Sequence, residues 1–133
     1  MRYLLLLALL VGCSPPPDCV AGGLSFYAER PVDCAVVGRN AMLALELVGL
    51  DRAEAVVRIR PELFWERQGP AFGEYLPESR EVLVNRHMHN LAHELFHWQD
   101  DDGKAEIDAS HAGWDVNGHN AASIEYNSRL EWL

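Results

Sequence analysis

Two neighbouring stretches, Glu81-Val82-Leu83-Val84-Asn85 and Leu91-Ala92-His93-Glu94-Leu95-Phe96-His97-Trp98, carry the fold. The first is short and β-branched and reads as a strand; the second carries H-E-x-x-H and reads as a helix. With about 100° per residue, His97 lies about 40° from His93, while Leu91, Leu95 and Trp98 gather about 140–200° away. One face is polar and metal-binding, the other apolar, as in a helix resting on a core. No Pro or Gly interrupts residues 87–102. His89 falls on the same face one turn earlier. It stands eight residues from His97, about 12 Å along the axis, so the two cannot share one ion. His89 is expected to line the cleft or sit near the helix start.

Two neutral imidazoles one turn apart suit a zinc ion, and the carboxylate of Glu94 beside them suits a general base that takes a proton from water. The bland alternative is two solvated histidines flanking a surface glutamate. The uncharged residues Leu91, Ala92, Leu95, Phe96 and Trp98 weigh against it, because an exposed stretch would carry charges there.

A catalytic zinc takes three protein ligands and keeps one position open. Downstream candidates are Asp108, His111, Asp115, His119 and Glu125, each otherwise a surface polar residue. His111, followed by Ala112-Gly113-Trp114, resembles the SprT-like (Spartan-type) peptidases, where a third histidine follows H-E-x-x-H after a similar gap and an aromatic residue follows it. That resemblance spans residues 91–116 and implies His93, His97 and His111 as the metal ligands. Asp108 has a spacing similar to the aspartate of aspzincins, though G-T-x-D is missing, and Glu125 would make a gluzincin-like site. No H-E-x-x-H-x-x-G-x-x-H is present, which excludes a metzincin. Asp100-Asp101-Asp102-Gly103 with Glu106 and Asp108 lacks the register of a calcium loop and reads as a solvated acidic turn. Tyr126 and His119 are candidates to steady an oxyanion, with packing or a surface position as their ordinary role. Partners holding the imidazoles are sought among Asp100, Asp115 and Asn117.

Working outward, Asp33 caps a predicted helix running to about Val48 and ended by Gly49, with Val36, Val37, Met42, Leu43, Leu45 and Leu47 as apolar positions. Residues 55–60 alternate and read as a strand stopped by Pro61. Phe72–Leu76 is a further short strand before the turn at Pro77-Glu78-Ser79, and a last helix is predicted from about Ala112 to Leu130. The order resembles the catalytic half of zincin metallopeptidases. It implies an α+β domain with a small mixed or antiparallel sheet packed on the H-E-x-x-H helix, and a further helix after it. In that family an edge strand above the active helix pairs with an extended peptide; Phe72–Leu76 and Val82–Val84 both qualify.

The chain opens with Met1-Arg2 and an apolar run from Tyr3 to Val11, the pattern of a signal peptide too short to span a bilayer. Leu10-Val11-Gly12-Cys13 resembles the bacterial lipobox, which implies removal of residues 1–12 and acylation of Cys13. Ser14 then implies delivery to the outer membrane in a diderm. An ordinary secretory signal leaving a free Cys13 is the alternative. Residues 13–30 read as a lipidated, Pro/Gly-rich tether and residues 31–133 as one domain. Cys19 and Cys34, the remaining pair in an oxidising compartment, are expected to form a disulfide tying the tether to the first helix.

The chain carries 11 basic and 20 acidic residues. Losing Arg2 with the leader leaves 121 residues, with ten basic groups against twenty acidic. That charge disfavours nucleic acid and sets aside any role on DNA–protein crosslinks. The expected activity is hydrolysis of a peptide or protein substrate. The competing expectation is a non-catalytic lipoprotein that holds zinc or binds a partner.

Overall fold

The computed structural model describes residues 15–61, 64, 65, 69, 70, 73–100 and 119–133. A five-stranded mixed sheet is its spine. The strands are β1 (Cys19–Ala21), β2 (Leu24–Ala28), β3 (Val56–Ile59), β6 (Gly73–Leu76) and β7 (Glu81–Val84), in the order β1-β2-β3-β7-β6. A separate two-stranded ladder joins β4 (Phe64–Trp65) to β5 (Gly69–Pro70). β2, β3 and β7 run parallel; β1 and β6 are antiparallel edges. Three helices are described: α1 (Cys34–Val48), α2 (Leu91–Asp100) and α3 (His119–Arg129). The class is α+β, as the sequence predicts.

Two cross-strand rows show how the sheet meets the helices. Cys19, Phe26, Val57, Val82 and Tyr75 sit opposite one another across all five strands, and Ala28, Ile59, Val84 and Gly73 form the next row on the same face. Phe26, Val57, Val82 and Val84 have no exposed surface, and Ile59 has almost none. Between these rows, Tyr27, Arg58, Leu83 and Glu74 occupy the opposite face, because successive side chains alternate. There Arg58 lies 5.2 Å from the Tyr27 ring and pairs with Glu81 at 2.5 Å.

α1 obeys its capping signals. Asp33 accepts a hydrogen bond from the Ala35 backbone N–H at 2.9 Å, and Gly49 closes the helix at φ +87°. Val37, Ala41, Ala44, Leu45 and Val48 face the core, while Met42 stays about half exposed. Asn40 is buried on the same helix and grips the C-terminal segment with both ends of its amide: Nδ2 donates to the Glu131 carbonyl, and Oδ1 accepts from the Glu131 N–H, each at 2.8 Å.

The tether boundary needs correction. Residues 18–28, read from sequence as part of a flexible lead-in, supply β1 and β2, and Leu24 and Phe26 are fully buried. Gly22 and Gly23, at φ +57° and +85°, make the two-residue hairpin joining these strands. Gly-Gly between apolar residues is itself a hairpin signal, masked here by the adjoining Pro15-Pro16-Pro17. The residues before 15, with the proposed leader and Cys13, lie outside the described residues.

Cys19 and Cys34 are bonded, with Cα atoms 5.5 Å apart. The bridge therefore joins a core strand to the first turn of α1, rather than a tether to the domain. A loop of this length stabilises by about 3 kcal/mol in the chain-entropy model. The Cys19→Ser/Cys34→Ser double variant should lose at least that much in chemical denaturation, since Cys19 is also buried. A midpoint unchanged from the parent would refute this.

Candidate metal centre

A tight turn precedes α2 and sets where the helix begins. Asn85 organises a turn: its Oδ1 accepts from the backbone N–H groups of His87 and His89, at 3.1 and 3.0 Å. Met88 and Asn90 then adopt φ +64° and +62°, left-handed values that side-chain-bearing residues seldom take. Two such residues within three end any helical run, so α2 begins at Leu91. His89 lies in this turn, close to Asn85 and edge-on to the exposed Trp132 ring. It sits near the helix start, one of its two expected places.

From Leu91 the helix proceeds as predicted. Leu91, Ala92 and Leu95 are buried against the core, which turns His93 and His97 towards β6. Their Nε2 atoms stand 3.2 Å apart. Glu94 Oε1 is 3.8 Å from His93 Nε2. One ligand atom from each of the three residues can be chosen with all within 4.8 Å of one another, and no other such group of His, Cys, Asp or Glu occurs among the described residues.

The spacing fits a metal. Two nitrogens each about 2.0–2.1 Å from one tetrahedral zinc stand about 3.3–3.4 Å apart, close to the distance observed. Two imidazole nitrogens this close cannot both carry protons, so at least one of the pair is unprotonated, the state a metal ligand requires.

Glu94 is nearly sealed, at 5 % exposure. Burial pushes its carboxyl up to about 8, and the nearby Glu74 carboxylate adds to the rise. The group thus sits where it can both take and return a proton near neutral pH. Its cover is β6. Tyr75, in that strand, lies parallel to the His97 ring with centroids 6.2 Å apart. A Cβ on Gly73 would meet Glu94 Cγ at 3.0 Å and Asn90 Cβ at 3.4 Å. Glycine at 73 is what lets the edge strand pass so near the carboxylate arm. Gly73→Val should displace Glu94, read as a shift of the Glu94 backbone amide resonance of more than about 0.2 ppm in NMR; an unmoved resonance would argue that the contact is incidental. No sequence signal marked this glycine.

Between the two edge-strand candidates, topology decides. β7 is paired on both sides, by β3 and β6, so Val82–Val84 is interior. β6 ends the sheet among the described residues, and Phe72 lies outside them.

Two further candidates take their ordinary roles, Tyr126 in packing and Glu125 at the surface. Tyr126 does not face the site: it has no exposed surface, and its hydroxyl donates to the Met88 carbonyl at 2.7 Å. Burial raises its pKa far above the ordinary phenol value. Glu125 is half exposed and pairs with Arg129 at 3.3 Å, one turn on along α3; it stands outside the His93–Glu94–His97 group. The reason is helical phase: Ala122, Tyr126 and Leu130 form the inward stripe, which turns Glu125 to solvent. Asp100 is exposed at the end of α2. Asp108, His111, Asp115 and Asn117 lie outside the described residues, as do the acidic turn after Asp100 and the side chain of His119. No helix among the described residues is long and apolar enough to cross a membrane.

No protein-family model, no curated protein and no solved structure matches this chain.

Proposed function

We propose that the chain is a zinc-dependent metallopeptidase, exported and held at the bacterial cell envelope by lipid on Cys13, that hydrolyses peptide bonds. The observation that carries this reading is the sealed Glu94 carboxyl beside two imidazole nitrogens 3.2 Å apart, under the last strand of a sheet. The resemblance to zincins, and to SprT-like peptidases in the spacing of His111, agrees with it. His93 and His97 would hold the ion through Nε2, with His111 as the third ligand. Bound there, zinc supplies Lewis acidity to the scissile carbonyl and acidifies water.

The remaining chemistry belongs to the protein. Glu94 takes the proton of the attacking water on its carboxylate and returns it to the leaving amine. Burial suits the carboxylate to both halves of that exchange, because a group poised near the working pH gives up a proton as readily as it gains one. The outer edge of β6 offers backbone N–H and C=O groups to an extended peptide, which gives affinity without demanding sequence. Tyr75 lies stacked beside the His97 ring.

The ligand set is tested by metal content. Purified parent protein should carry one zinc per chain, and His111→Ala should abolish stoichiometric binding. If zinc persists in His111→Ala while Asp108→Ala loses it, the third ligand is Asp108 and the likeness to SprT-like sites fails.

A further inference from the structure

Glu94 is held in place by a contact that starts on another helix. The Asn127 side chain on α3 meets Asn90, the residue just before α2, twice: its Oδ1 accepts the Asn90 backbone N–H at 2.8 Å, and its Nδ2 donates to Asn90 Oδ1 at 2.5 Å. Both polar ends of one amide are spent on a single residue. Asn90 holds a left-handed conformation, φ +62°, and its carbonyl accepts the Glu94 N–H at 2.9 Å. Its Cβ also lies near the point where a Gly73 side chain would meet Glu94 Cγ. The same turn is pinned one step earlier, where Tyr126 donates to the Met88 carbonyl. Two adjacent residues of α3 therefore set the conformation from which the first turn of α2 departs.

We propose that Asn127 is a positioning residue for Glu94, acting through Asn90. It touches no reacting atom. By holding Asn90 in its strained conformation it fixes the carbonyl that anchors Glu94 and the wall that limits the carboxylate arm. His93 and His97 lie further along α2 and owe their spacing to the helix repeat, so the influence of Asn127 falls on the base more than on the metal grip. The proposal rests on the metallopeptidase reading only for its kinetic consequence; its structural content does not need it.

The hydrogen-bond pattern makes a discriminating set of variants. In Asn127→Ala both contacts are lost. In Asn127→Asp the carboxylate still accepts the Asn90 N–H, and a half-turn of the Asn90 amide lets its Nδ2 donate to the second oxygen. In Asn90→Asp/Asn127→Asp, two carboxylates face one another above neutral pH and the side-chain contact is lost again. Amide exchange of Glu94 and Leu95, measured by NMR on zinc-free protein, should speed up about tenfold or more in Asn127→Ala and in the double variant. It should stay within about threefold of the parent in Asn127→Asp. Turnover on a casein-derived peptide pool should follow the same order, with kcat down about ten- to a hundredfold while KM and zinc affinity move less than about threefold.

Unchanged Glu94 exchange in Asn127→Ala overturns the proposal. So does a loss of protection spread evenly over α1 and the sheet, which marks general destabilisation. If the parent hydrolyses nothing and yet the exchange pattern follows the order given, the metallopeptidase reading falls and the positioning of Glu94 by Asn127 stands.

Discussion

Glu94→Gln should lose peptidase activity by a factor of about 10²–10⁴ and keep its zinc. The amide fills the same space between Gly73 and Asn90 but cannot take a proton from water. His93 and His97 are untouched, so metal content stays at one per chain. A non-catalytic zinc lipoprotein would instead show no hydrolysis in parent or variant. The substitution carries a second signature in zinc-free protein. The Glu94 carboxyl is raised to about 8 in the fold, against an ordinary 4.5. Between those values the folded chain holds a proton that the unfolded chain has released, so stability falls as pH rises through the window. Glutamine has no such proton. Relative to Glu94→Gln, the zinc-free parent, kept in chelator, should therefore lose stability from about pH 5 to pH 8, and the variant should melt a few degrees higher at pH 8. Parallel curves for the two proteins would mean that the carboxyl is better solvated than its burial implies.

Tyr126→Ala should be the most damaging single change to the fold. The side chain is the largest of the fully buried ones among the described residues, and it joins α3 to the turn that launches α2. Removing an aromatic ring of this kind destabilises by about 3–5 kcal/mol, a large share of the roughly 5–15 kcal/mol that holds a domain together. Tyr126→Phe isolates the hydroxyl. It leaves the ring in place and leaves the Met88 carbonyl with only the longer bond from the Leu91 N–H at 3.4 Å, which should weaken the fold by about 0.5–1.5 kcal/mol. Because the hydroxyl is engaged by the Met88 carbonyl, kcat for the folded Phe variant should remain within a few-fold of the parent. A hundredfold loss of turnover with unchanged stability would return Tyr126 to the list of groups that steady the oxyanion.

The residues read correctly from sequence are those whose partners lie within about four positions. The imidazole pair depends on the helix repeat alone, and a short-range rule suffices to bring His93 and His97 together. Asp33 and Gly49 bound α1 through contacts two to four residues long. The Cys19–Cys34 bond spans further, yet arithmetic left these two as a pair once Cys13 was set aside. Where strong local signals adjoined, the louder one misled: three prolines hid the Gly22-Gly23 hairpin and the two strands it joins. The turn ahead of α2 left no sign in the sequence for another reason. Nothing in His87-Met88-His89-Asn90 forbids a helix locally, and it is the grip of Tyr126 and Asn127 that holds Met88 and Asn90 at positive φ.

By itself, then, the sequence determined the α+β class, the imidazole spacing on α2, the caps of α1 and the excess of acid over base. All of these rest on periodicity, capping or counting. Which strand ends the sheet, why residue 73 is glycine, how deeply Glu94 is sealed and that Tyr126 props a turn were decided only in three dimensions. Each depends on contacts between segments 20–40 residues apart, whose meeting is set by how the sheet and helices bury their apolar faces together and leaves no local trace in the chain.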